Sequence, residues 1–294
     1  MVFIRKKKIN NKEYYYLVHS TRIGTNKWKK IERYIGINHP SPKEIKKIQF
    51  EFDTITLFFD KHKRELEQIQ KSYQKRMKKA SVDARSALEE ELIIQFTYDT
   101  SRIEGSTLSY KDTKNLLREG ITPKDKPLRD IKETENHKKA FISMKENLAH
   151  SITTDFILKL HAILKRNVTE DAGCFRDAQV LVGDLIPIKS DKIEIELNNL
   201  LKWYKEEEAQ LHPLELAATF HCIFERIHPF FDGNGRIGRL LLNFILLREK
   251  YPLIIIQNKN KQRYYAALHH ADNGNYLYII KYLFSELKRQ YAPH

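Results

Sequence analysis

Between two apolar helical stretches the chain carries a polar, glycine-rich loop: His228-Pro229-Phe230-Phe231-Asp232-Gly233-Asn234-Gly235-Arg236-Ile237-Gly238-Arg239. Before it, Leu214, Ala217, His221 and Phe224 fall on one helical face, and after it Leu240, Phe244 and Leu247 do the same. Two buried helices must therefore meet at a charged joint. Glycines on either side of Asn234 free the backbone to turn its N–H groups inward, where the next helix adds its positive end. That is an anion nest of phosphate size. Around it stand His228, able to take a proton near neutral pH, and Asp232, a ligand for a hard cation. Arg236 and Arg239 are three residues apart, share a helix face and can reach one polyphosphate. Taken singly, DGNG is a turn, a His beside Pro is a hydrogen bonder and the arginines are surface charge. Their joint spacing between two apolar helices points instead to transfer from a nucleoside triphosphate, with Mg²⁺ held by one carboxylate plus phosphates.

Most of the remaining chain reads as helix. Ser41-Pro42-Lys43-Glu44 is a capping box with Pro at the first helical position. Behind it Ile45, Ile48, Phe52, Ile55, Phe59, Leu66, Ile69 and Tyr73 recur at steps of three and four, which predicts one long helix with a coiled-coil-like stripe. Such a stripe serves a neighbouring helix of the same chain or a homodimer. Helical length and period also mark Glu89–Ser101, Lys111–Arg118, Asp130–Asn147, 153–166 and 191–207. Residues 2–36 read as three short strands with aromatics, and 172–188 alternate and turn like a β-hairpin.

The net charge of +14 is uneven: residues 1–80 hold 21 Lys+Arg against 8 Asp+Glu, while the rest is almost balanced. A basic N-terminal unit either keeps the surface solvated or meets an anionic partner. No run approaches the roughly 18 apolar residues of a membrane span, and no apolar stretch follows the N-terminal basic cluster. Cys174 and Cys222 lie far apart and form no metal-ligand spacing. A soluble, cytoplasmic protein is expected.

The loop HPFFDGNGRIGR resembles the HxFxDGNGRxxR motif of the Fic proteins, and the likeness runs over about residues 95–285. The resemblance implies a mainly α fold: a helical Fic core with a β-hairpin flap, here joined to a small N-terminal β unit and a long helix. The implied division is a basic β unit at 1–40, a connecting helix at 41–80, an inhibitory-helix region at 81–126 and the Fic core at 127–294. It also implies AMP transfer from ATP to a hydroxyl of a target protein, with Mg²⁺. His228 would be the base, Asp232 the metal ligand, Gly233, Asn234 and Gly235 the anion hole, and Arg236 and Arg239 the β- and γ-phosphate holders. Gly173, Cys174, Phe175, Arg176 and Val180 through Val182 and Gly183 are similar to the flap that receives the target by strand addition. Tyr264 and Tyr265 resemble the base and ribose pocket, where Asp272 replaces the family's frequent Asn and leaves nucleotide preference open.

Thr100-Ser101-Arg102-Ile103-Glu104-Gly105 resembles the family's inhibitory motif [ST]xxxE[GN]. By that likeness Glu104 competes with the γ-phosphate for Arg239, one carboxylate against one phosphate for the same planar fork. An exposed pair is worth only about 0–1 kcal/mol, so an effective brake must be desolvated and backed by packing. The target, self-modification and a reverse, AMP-removing reaction stay open. Two other readings stand beside this one. The N-terminal unit, with Tyr14 to Tyr16 and Trp28 among lysines, would bind nucleic acid or another polyanion while the core is weak or silent. Alternatively, the same pocket would transfer another nucleotide or a phosphoryl group.

Overall fold

In a computed structural model the chain is described at residues 2–9, 12–24, 27–36, 39–183 and 185–292. Three antiparallel strands, β1 (Val2–Ile9), β2 (Lys12–Gly24) and β3 (Lys27–Gly36), form a meander in the order β1-β2-β3. Leu17 and Val18 on β2 are adjacent, so they point to opposite faces, and both are fully buried. The sheet is therefore covered on both sides at that point. The N–H of Glu32 on β3 donates to Glu207 Oε1 at 3.0 Å, and Lys7 reaches Glu206 at 3.2 Å. The side chains of Tyr14 and Trp28 lie outside the described residues.

Helix α1 (Pro42–Lys79) begins with the expected capping box between Ser41 and Glu44. Its buried stripe of Phe52, Ile55, Leu66 and Ile69 meets α10 (Leu277–Tyr291), where Phe58 packs edge-on against Phe284 at 5.3 Å. The stripe thus serves a helix of the same chain. Between them come α2 (Val82–Ile103), α3 (Tyr110–Glu119), α4 (Leu128–Glu146), α5 (Thr154–Leu164), α6 (Ile193–Glu207), α7 (Pro213–Ile227), α8 (Asn234–Arg248) and α9 (Lys261–Asp272). Helix α8 is the hub: all but Gly235 of residues 234–246 are buried. Helices α7, α2, α4 and α5 pack against it. No helix among the described residues is long and apolar enough to cross a membrane.

The expected hairpin at 172–188 is smaller than the sequence suggested. Among the described residues it reduces to a single antiparallel bridge, Val182 to Leu185, next to Gly183 at a φ of 58°. Residues on either side are held by a side chain instead of a ladder. Buried Arg176 donates to four carbonyls: His228 (2.7 Å), Ala178 (2.8 Å), Ile188 (2.5 Å) and Ile227 (3.4 Å). One guanidinium with five donors can bind a turn that has too few backbone bonds of its own.

Candidate active site

The loop between α7 and α8 is shaped by its polar residues. His228 caps α7 in the left-handed conformation, at a φ of 50°, a strained position for a residue with a Cβ. Its Nδ1 faces the carbonyl of Glu225 at 3.3 Å, so Nδ1 carries the proton and Nε2 keeps its lone pair. The ring is half-buried. Burial lowers its pKa below the ordinary 6.5, only partly offset by that carbonyl, which leaves a neutral base at pH 7.

The Asn234 side chain does not face the nest. Its Oδ1 accepts from the N–H of Phe230 at 2.9 Å and its Nδ2 donates to the Phe230 carbonyl at 2.8 Å, which locks the loop. The N–H of Gly233 is spent on Asp232 Oδ1 at 2.6 Å. The free donors at this helix start are therefore the first N–H groups of α8, where no side chain caps the helix. Gly235 has a packing reason to be glycine, since a Cβ there would run into Glu104 Oε1 and Arg239 Nη1.

The two arginines part at the start of α8. Arg236, 2 % exposed, pairs with Glu133 Oε2 at 2.6 Å and Asp232 Oδ1 at 3.1 Å, and its Nε has no partner. Arg239, equally buried, donates from Nε to Thr100 Oγ1 at 2.5 Å and from Nη2 to the Thr100 carbonyl at 3.2 Å. The same Nη2 meets Glu104 Oε1 at 2.6 Å. Thr100, in the last turn of α2, and Glu104, which caps its end, are four residues apart, so the end of one helix engages one fork. Ser101 is buried on α2 but its hydroxyl has no partner.

Asp232 sits among cations. Its Oδ2 accepts from Lys165 at 2.7 Å and Arg129 at 2.5 Å. Burial pushes its pKa up, yet Arg236, Lys165 and Arg129 outweigh this and hold the carboxyl well below the usual range. Lys165 is almost fully buried and also bonds Glu133 at 2.6 Å. Glu133, Lys165 and Arg129 carried no motif in the sequence; they arrive from α4 and the end of α5, and only the fold brings them to the loop. His161 is a further such residue. Its Nε2 donates to the Asp232 carbonyl at 3.0 Å, its Nδ1 accepts from the N–H of Gly173 at 2.9 Å, and its ring stacks on Phe230. Gly173, at a φ of 84°, lies so close to Ala162 that a Cβ would collide with it.

An ionised, partly exposed carboxylate suits a hard cation. No cluster of three or more His, Cys, Asp or Glu exists among the described residues to form an all-protein cage. Asp232 therefore fits a metal that takes its other ligands from phosphates.

Of the other expected site residues, Tyr264 is buried beneath Arg239, whose guanidinium lies 6.0 Å from its ring centre. Its hydroxyl is 2.6 Å from His221 Nε2. Tyr265 is partly exposed and donates to the Ile103 carbonyl at 3.3 Å, at the end of α2. Asp272 is half-buried at the end of α9, its pKa raised by burial and lowered by Arg226 and His269. Val180, Val182 and Gly183 lie along the turn that Arg176 anchors, Val182 and Gly183 exposed and Val180 half-buried.

Residues 151–246 match the Fic/DOC family. The chain is 32% identical over 194 residues to protein adenylyltransferase fic-1 of Caenorhabditis elegans, covering 64% of this chain and 38% of that protein. It is 31% identical over 198 residues to protein adenylyltransferase Fic of Nematostella vectensis, covering 66% and 46%. The chain thus spans less than half the length of these relatives. Among solved structures, a Fic-domain-containing signaling protein of Bacteroides thetaiotaomicron aligns with a TM-score of 0.71 at 29% identity, over 76% of this chain and 94% of that one. Fic-1 of C. elegans aligns with the same score at 26% identity, over 85% and 75%.

Proposed function

We propose that this chain, whose residues 151–246 are a domain of the Fic/DOC family, transfers AMP from ATP to a hydroxyl of a target protein and is restrained by its own Glu104. The observation that carries the reading is a shared fork: Glu104 and Thr100 engage Nη2 and Nε of the Arg239 guanidinium in the first turns of α8, on the helix that follows the loop of the neutral His228. The named adenylyltransferase relatives support the same reaction class.

In the transfer the target oxygen bonds to the α-phosphorus as the bond to the bridging oxygen of the β-phosphate breaks, and pyrophosphate leaves. His228 Nε2 receives the hydroxyl proton. The uncapped N–H groups at the start of α8 and the helix dipole stabilise the phosphate charge that builds up. Arg239 holds the γ-phosphate once Glu104 has withdrawn, which sets the α-phosphorus in line with the incoming hydroxyl. Asp232 would hold Mg²⁺, which when bound neutralises the phosphates and the departing pyrophosphate. Self-modification belongs to the same chemistry, with the chain's own hydroxyl as target.

Labelled ATP with Mg²⁺ tests the reading. Glu104→Gly should raise incorporation of labelled AMP about tenfold or more, the scale of one or two charge-assisted hydrogen bonds. Adding His228→Ala should reduce it by about 10²-fold or more. A folded Glu104→Gly protein that incorporates nothing, into itself or into added protein extract, would sink the proposal.

A further inference from the structure

We propose that Arg129 and a divalent cation compete for the same oxygen of Asp232, so that the metal enters only by displacing a tethered guanidinium. The inference rests on the proposed nucleotide chemistry and adds a residue to it. All the acceptor positions of Asp232 are engaged. Oδ1 takes the N–H of Gly233 and Arg236, and Oδ2 takes Lys165 and Arg129. A metal bound to this carboxylate must remove one of them. Lys165 and Arg236 are 1–2 % exposed and each also bonds Glu133, so neither can leave without stranding a buried charge. The Gly233 N–H is fixed by the backbone.

Arg129 differs in its exposure and in the length of its second link. Its side chain is 60 % exposed, and its second link, Nε to Glu133 Oε1, is a long 3.4 Å. Glu133 keeps Lys165 and Arg236 when Arg129 swings out. The position is also a poor one for a cation: Arg129 is the second residue of α4, where the helix dipole and the uncapped N–H groups repel positive charge. Asp232 and Glu133, one turn further along α4, are what hold it there. Three cations stand against two carboxylates in this cluster, so adding a divalent ion without losing Arg129 would pile up uncompensated charge. With Arg129 gone, the protein part of the cluster is neutral and the phosphates balance the metal.

The test reads nucleotide affinity rather than turnover. In full chains carrying Glu104→Gly, the dissociation constant of a fluorescent non-hydrolysable ATP analogue is measured with Mn²⁺ and with EDTA. The constant in EDTA divided by that in Mn²⁺ reports what the metal contributes. Arg129→Gln should raise that ratio about threefold or more, the scale of a half-exposed ion pair. Arg129→Lys should stay nearer the parent, and Asp232→Asn should bring the ratio close to one. A purely structural role for Arg129 would shift both arms alike. An unchanged or smaller ratio in Arg129→Gln, with Asp232→Asn still abolishing the metal effect, would overturn this inference alone. A ratio near one with Asp232 and Arg129 both intact, or no binding in either arm, would overturn the metal or nucleotide site and this inference with it.

Discussion

Thr100 takes the Nε of Arg239 and Glu104 its Nη2 while the side chain is 2 % exposed, so a phosphate would have to displace Glu104 from Nη2. Charge-assisted bonds to a desolvated fork are worth more than the surface pair that sequence alone would suggest. The base obeys a separate rule. Burial lowers the His228 pKa, and a base works only when unprotonated, so if His228 takes the hydroxyl proton the rate is lost as pH falls through a value below 6.5. AMP incorporation by the Glu104→Gly protein should therefore be flat from pH 7 to pH 8 and decline only below about 6.5. An acid limb centred above pH 7 would remove His228 from that role. At this scale the sequence was legible in part. Which residues line the loop could be read, but not how their atoms are spent. Gly233 and Asn234 look like anion binders, yet the Gly233 N–H is consumed by Asp232 and the Asn234 side chain by Phe230, which leaves Asn234 its backbone N–H at the start of α8. Arg236 looks like a free phosphate ligand, yet Glu133, about a hundred residues away, occupies it. Nothing in spacing along the chain encodes that partner.

At the scale of elements, α2 would act in the proposed restraint as a latch with several teeth. Besides Arg239, Thr97 Oγ1 sits 2.9 Å from His137 Nδ1 on α4. Asp99 Oδ1 accepts from the N–H of Asn258 at 2.9 Å, just ahead of α9, and Tyr265 on α9 donates to the Ile103 carbonyl. The helix is thereby tied to the three elements that surround the nest. Asp99→Ala would leave the Asn258 N–H without its acceptor, a cost of about 1–3 kcal/mol. The expected outcome is faster amide exchange along α2 and a rise in AMP incorporation with Glu104 still in place. Unchanged exchange and unchanged incorporation would show that this tooth does not hold the latch. Helix starts and periods were readable here, as the Ser41–Glu44 box and the α1 stripe attest. The turn at 172–188 was not, because alternation predicts a ladder whereas Arg176 supplies the bonds from one side chain.

At the scale of the whole molecule the charge asymmetry needs the same accounting. On the basic sheet Arg5 pairs with Glu32, Lys6 with Glu13, and Lys7 with Glu32 and Glu206. These three cations of the sheet are thus compensated within the protein, and the sheet docks on α6 through Glu207. Retention of the full chain on a DNA oligonucleotide should be weak and lost by about 0.15 M salt. Lys6→Glu with Lys8→Glu should abolish it without altering AMP incorporation; tight retention at that salt would restore a nucleic-acid role. Affinities for ATP and ADP, compared in the parent and in Glu104→Gly, show whether Glu104 and the γ-phosphate compete for Arg239. If Glu104 holds the place of the γ-phosphate, the substitution should tighten ATP severalfold and leave ADP nearly unchanged. Equal gains for both nucleotides, or none for ATP, would contradict it.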